Sequence, residues 1–130
     1  MHIVPLYAAL LALLFAALSV RTLRMRRRLR IAVGDAGNQA MLRAMRAHSN
    51  FAEYVPLSLF LFYLVEQSGA NHVFVHALCG ALLVGRISHA IGVSQVNERF
   101  GFRVFGMALT LTPLISSAVW LLFVYVASVA

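Results

Sequence analysis

Lysine is absent from this sequence and acids are scarce: Asp35, Glu53, Glu66 and Glu98 are all it has. Charged residues make up 12% of the chain, against about a quarter in a soluble domain, which excludes an ordinary water-soluble globule. One cysteine, Cys79 in an apolar stretch, excludes an intrachain disulfide and a two-cysteine redox motif. Proline is limited to positions 5, 56 and 113. No long linker, low-complexity tract or internal repeat divides the sequence, so a single domain over residues 1–130 is expected.

What is present is apolar. Hydrophobic residues account for 62% of the chain, and the mean hydropathy is +0.84. A membrane helix needs about 20 largely apolar residues, so 130 residues accommodate four spans and short links but no further soluble domain. The pattern predicts an all-α membrane protein, a four-helix transmembrane bundle with helices over about 3–25, 39–66, 72–92 and 103–128. The breakers Gly34, Asp35, Gly37 and Asn38 mark the first link, "EQSGAN" the second and "GVSQVNERFGF" the third. Pro56 and Pro113 fall inside helices, freeing the carbonyls of Ala52 and Leu109; a kink there would aid packing or widen a cavity beside Glu53.

The net charge of +7 rests on eleven arginines, six of them in "RTLRMRRRLR", residues 21–30. Coming directly after an apolar run, this block reads as a topology signal that also attracts anionic headgroups. Nucleic-acid binding is not expected, because such proteins spread charge over a solvated face. A cleaved secretion signal would carry its basic residues before the apolar run; here they follow, so a retained first span is expected. Arginine-rich links stay cytoplasmic. The first and third links are therefore expected inside, with both termini outside, in a multi-pass bacterial inner-membrane protein.

Where the charges sit inside the apolar segments suggests chemistry. Arg46, Asn50 and Glu53 stand at i, i+4 and i+7, on one helical face spanning roughly 10 Å, with Arg43 near the same stripe. His48 points to the other side. The third helix has a stripe of its own through His72, His76, Cys79, Leu83, Arg86 and Ala90, with His89 one turn past Arg86. His72 and His76 have the spacing of a metal pair, but no acid or third ligand accompanies them, and they read as interfacial histidines with no metal. Each intramembrane Arg or acid costs about 2.5–3.5 kcal/mol to insert, so these groups must face inward. Arg21, Arg24, Arg43, Arg46, Arg86 and Arg103 crowd one end of the bundle, where Glu53 is the only acid in the stripes. That surplus asks for an anion: a small, water-soluble ligand with carboxylates for the guanidinium forks, an amine for Glu53 and amide groups for Asn50.

"RAHSNFAEYVP", residues 46–56, resembles the second-helix signature of the MAPEG family, membrane-associated proteins in eicosanoid and glutathione metabolism. "LLVGRISHAIG", residues 82–92, is similar to the family's third-helix pattern, and the arginine-rich first link resembles that of short bacterial members. The resemblance covers nearly the whole chain. It implies a homotrimer of four-helix subunits binding glutathione, with no metal, between neighbouring subunits near the cytoplasmic face. It implies glutathione contacts for Arg46, Asn50, Glu53, Tyr54, Arg86 and His89, and for Arg21 or Arg24 on the first helix. It makes Arg103 the catalytic residue that holds the sulfur as thiolate. The chain departs from several members at Val93, Val104 and Met107, so binding of glutathione is implied more firmly than fast turnover. The expected activity is transfer of glutathione to lipophilic electrophiles met in the bilayer, or reduction of lipid hydroperoxides. Two other classes remain open. A small multidrug exporter would need Glu53 accessible to a cation, and a non-catalytic membrane scaffold would need its polar stripes to close on one another.

Overall fold

The computed structural model describes residues 2–95 and 100–129. It contains four helices: α1 (Val4–Leu29), α2 (Gln39–Gln67), α3 (His72–Ser94) and α4 (Phe100–Val129). Of the expected third link, residues 92–94 belong to α3 and residues 100–102 to α4, and residues 96–99, Arg99 included, lie outside the described residues. α2 packs against each of the other three helices, α3 and α4 form the most extensive pair, and among the described residues α1 and α4 do not touch.

α1 runs to Leu29 rather than ending near residue 25. Arginine is a good helix former, and its charge is favoured at a helix C-terminus, where unsatisfied carbonyls gather. The helix closes at Arg30 in the left-handed region (φ 55°), with the Ile31 amide donating to the Arg26 carbonyl at 3.0 Å. Arg26 then donates Nη1 to the Gly34 carbonyl at 3.0 Å and to that of Ala32 at 3.3 Å. α2 starts where the Asn38 side chain accepts the Met41 amide at 3.0 Å, and α3 starts with the Asn71 side chain accepting from Val73 at 2.7 Å. Both are N-caps that satisfy an otherwise orphaned donor. Pro56 and Pro113 are accommodated within continuous helices.

α2 buries Met41, Ala44, Ala47, Phe51, Val55, Ser58, Phe62 and Val65, a three-and-four-residue spacing that forms one seam against the bundle. Arg46 and Glu53 fall between seam positions and are exposed. The expectation that this stripe faces the interior of the subunit is thus corrected: the apolar seam occupies the interior, and the stripe opens on the side of the bundle. Among the described residues, α1, α3 and α4 are the helices long and apolar enough to cross a membrane on composition alone. α2 is not, because its first half carries Arg43, Arg46 and Glu53. The lateral faces expose Leu6, Leu13, Ile115, Leu122 and Phe123, more contiguous apolar surface than a water-soluble monomer carries. The chain is an all-α integral membrane protein.

Three glycines let α3 and α4 meet backbone to backbone, as small residues do at membrane helix interfaces. A Cβ added to Gly106 would lie 2.6 Å from the His89 amide nitrogen, one at Gly85 would lie 2.9 Å from the Gly106 carbonyl oxygen, and one at Gly92 would lie 2.9 Å from the Arg103 nitrogen. This approach sets Arg103 and His89 against the same wall. Replacing Gly106 with Ala is expected to force the helices apart and cost about 1–3 kcal/mol. Thermal unfolding in detergent should show the loss, while Gly101→Ala, where an added Cβ meets nothing within 4 Å, should show little.

At the other end of the bundle, Glu66 of α2 closes the start of α1. Ile3 has no side-chain cap of its own, and the Glu66 carboxylate accepts the Ile3 amide and, at 3.4 Å, the Val4 amide. A carboxylate on the positive end of a helix satisfies orphan donors and complements the dipole. Glu66→Gln is expected to lower stability by about 1 kcal/mol, as measured by the same unfolding assay. His2→Ala should change it little, since His2 lies 3.9 Å from Glu66 and is largely exposed.

Candidate functional site

The outward stripe of α2 forms one wall of a cavity of about 480 Å³, within the range of small-ligand sites. Gln39, Leu42, Arg43, Arg46, Ser49, Asn50 and Glu53 come from α2, His89 and Val93 from α3, and Arg103 from the first turn of α4. The lining therefore carries three arginines and one carboxylate, an excess of positive charge facing a space open to solvent. His89 is 4% exposed, held in place by the Gly106 contact described above.

Several arginines, Arg43 of the cavity lining among them, make hydrogen bonds to the bundle itself. α3 has no basic residue in its own last turn, and its C-terminal end takes two from neighbouring helices. Arg43 donates Nη1 to the Val93 carbonyl at 3.4 Å, and Arg21 donates to the Ser94 hydroxyl. Cations at the negative end of a helix are stabilising there. Arg86 is 2% exposed and lies behind the cavity rather than on its wall. Its Nη1 donates to the Asn50 side-chain oxygen at 2.8 Å and to the Asn50 carbonyl at 3.2 Å, and its Nη2 lies 4.0 Å from the Met107 sulfur. Its guanidinium carbon stands 6.0 Å from the centre of the Tyr54 ring.

Of the residues singled out in the sequence, Arg46, Asn50, Glu53, His89 and Arg103 come together on this cavity. Tyr54 and Arg86 do not line it. Arg21 and Arg24 lie on a separate groove of α1, of about 590 Å³, with Ala16, Ala17, Val20, Met25 and Arg28. Within one chain, then, Arg21 and Arg24 are not among the residues that line the cavity. Five lining residues, Gln39, Leu42, Arg43, Ser49 and Val93, were not expected as ligand contacts, although Arg43 was placed near the stripe. Helical phase was the signal available for them: Ser49 is one turn from Arg46, and Val93 is one turn from His89.

The histidines outside the cavity make helix contacts. His48 places Nε2 3.0 Å from the Ser19 hydroxyl and stacks on Phe15 with centroids 4.8 Å apart, a packing contact on the side of α2 away from Glu53. His76 Nδ1 is 3.1 Å from the Tyr7 hydroxyl, and His72 is exposed. Among the described residues no three His, Cys, Asp or Glu side chains converge as metal ligands, and Cys79 is a buried thiol.

The chemistry available is recognition of a small anion bearing an amine. Guanidinium groups bind carboxylates with charge-assisted, often bidentate hydrogen bonds, a carboxylate such as that of Glu53 can pair with a cationic nitrogen, and Asn50 adds an amide to the same wall. A model of the MAPEG family matches residues 4–123. Two curated relatives, each named inner membrane protein YecN, from Escherichia coli strain K12 and from strain O6:H1 CFT073, are both 39% identical over 106 residues, covering 81% of this chain and 79% of the relative. The family match and the identity to these relatives agree, and the chain belongs to the MAPEG family of membrane proteins.

Proposed function

We propose that the chain is a glutathione-dependent membrane transferase that also suits reduction of lipid hydroperoxides. The observation that carries this reading is the shared wall of Arg43, Arg46, Asn50, Glu53, His89 and Arg103. Glutathione has two carboxylates, one amine and two amides, and the lining offers arginines for the first, Glu53 for the second and Asn50 for the third. Arg103 is the catalytic residue: a cation beside a thiol favours the deprotonated, nucleophilic form. The thiolate then forms a bond to an electrophilic carbon of a bilayer-dissolved substrate, whose leaving group departs with the bonding pair. Proximity and fixed charge supply the rate.

Family membership also supports assembly as a homotrimer. A neighbouring subunit would then bring the α1 groove holding Arg21 and Arg24 against the open side of the cavity, completing the ring of cations around the ligand. The relatives are named for the inner membrane; a bacterial inner membrane location, with the arginine-rich link between α1 and α2 in the cytoplasm, fits this chain. Glu53 shares its cavity with three arginines, which disfavours a cationic drug as cargo and hence the exporter reading.

Titrating glutathione into detergent-purified protein, while following thiolate absorbance in the ultraviolet, tests the proposal. Saturable binding with a rise in absorbance is expected. Arg103→Ala should abolish the absorbance change yet keep binding. Glu53→Ala should weaken binding about 10- to 100-fold, the loss of one charged hydrogen bond. Absence of saturation at millimolar glutathione would end this reading, and proton-driven dye efflux from vesicles would replace it with the exporter.

A further inference from the structure

Arg86 poses a problem that the proposed chemistry leaves unsolved. It is a guanidinium buried to 2% exposure within a membrane bundle, its Nε is buried without a hydrogen-bond partner among the described residues, and its side-chain hydrogen bonds go to an amide and a thioether instead of a carboxylate. Removing such a charge from water costs several kcal/mol, so a role confined to packing explains it poorly: an apolar side chain of similar size would fill the space at lower cost. The geometry to Asn50 points to what it does.

A guanidinium only donates hydrogen bonds. Of the two ends of the Asn50 carboxamide, only the oxygen can therefore face Arg86, at 2.8 Å. The NH₂ end is thereby turned away from Arg86, and Asn50 is one of the residues that line the cavity. A second bond from the same Nη1 to the Asn50 main-chain carbonyl, at 3.2 Å, ties the guanidinium to backbone and side chain together. Rotation of the carboxamide would bring NH₂ against a cation and cost the guanidinium its shorter hydrogen bond, leaving only the main-chain carbonyl of Asn50 as acceptor there.

We infer that Arg86 is a positioning residue that locks Asn50 as a hydrogen-bond donor to the ligand and thereby fixes which part of the ligand sits at mid-cavity. This inference rests on the proposed function for the identity of the ligand, but not for the orientation of Asn50. An asparagine able to turn would accept from an amine or donate to a carbonyl equally well. A locked one requires an acceptor, a carboxylate or an amide carbonyl, opposite it. With arginines supplying further donors, Glu53 is left as the charged acceptor on the wall, and a zwitterionic ligand enters in one orientation: amine at Glu53, acceptor at Asn50.

Two measurements on the detergent-solubilised full chain decide the matter. The first needs no ligand. With asparagine labelled by ¹⁵N, the side-chain NH₂ resonances of Asn50, identified by their loss in Asn50→Asp, are expected to shift in Arg86→Met and to stay in place in Arg103→Ala. Unchanged Asn50 resonances in Arg86→Met overturn the inference. The second is glutathione affinity. Arg86→Met and Asn50→Asp should each weaken binding at least tenfold, whereas Arg86→Lys, which still donates to the oxygen, should stay within about threefold of the parent. Asn50→Asp keeps an acceptor for Arg86, so its fold should survive if that of Arg86→Met does not. Parental affinity in Asn50→Asp would overturn the inference. Failure of the parent protein itself to bind glutathione would instead sink the proposed function, leaving the resonances of Asn50 to decide this one.

Discussion

Guanidinium charge in an apolar bundle, supplied far beyond the acids available to neutralise it, is the constraint around which this molecule is built. Eleven arginines stand against four acids. Direct ion pairing cannot dispose of them, and the structure shows other solutions. Arg26 spends its donors on carbonyls just beyond the end of α1, while Arg21 and Arg43 close the C-terminal end of α3. Arg86 is answered by an amide. In each case a neutral carbonyl, amide or hydroxyl takes the place of a carboxylate, and at helix ends the concentrated partial charges help. The cavity gathers Arg43, Arg46 and Arg103 around one carboxylate, more positive charge than that carboxylate balances.

Two packing features decide which side chains reach that space. The seam on α2 fixes its rotation, so everything out of phase with Met41, Phe51 and Phe62 is turned to the side of the bundle. The glycine contacts between α3 and α4 fix the second wall, because His89 and Arg103 each lie beside a glycine of the opposing helix. A rotation of α2 by one residue, about 100°, would bury Arg46 and expose the seam. Site geometry and bundle stability therefore rest on the same apolar positions.

Much of this was legible in the sequence, for identifiable reasons. The four helices follow from apolar run length and the glycine and asparagine breakers, and the Arg46–Asn50–Glu53 alignment follows from helical phase alone. The direction in which that stripe faces did not follow. Periodicity shows that residues share a face, but which face is buried depends on the competing seam, whose members Ala44 and Ala47 carry little hydrophobic signal. The separation of Arg24 from Arg46 was equally hidden, since membership of a charge-rich membrane end says nothing of the azimuth on each helix. The family resemblance implies that Arg86 is a ligand contact, whereas in the structure its guanidinium turns to Asn50 of α2.

The two acids of α2 show how position alone assigns roles to identical chemistry. Glu66, at the last turn, meets the exposed amides at the start of α1 and is consumed by them, its side chain 7% exposed. Glu53 is displaced from it by thirteen residues, more than three turns further along the helix, and no helix end lies there for it to cap. It is left exposed on the cavity wall. A carboxylate with no helix dipole to serve, close to several cations, does not attract a free cation, whose approach those arginines oppose. It attracts an amine only when anionic groups on the same molecule engage the arginines. Under the proposed function, a zwitterion with excess negative charge meets that joint requirement, and the surplus of arginine is itself the source of selectivity.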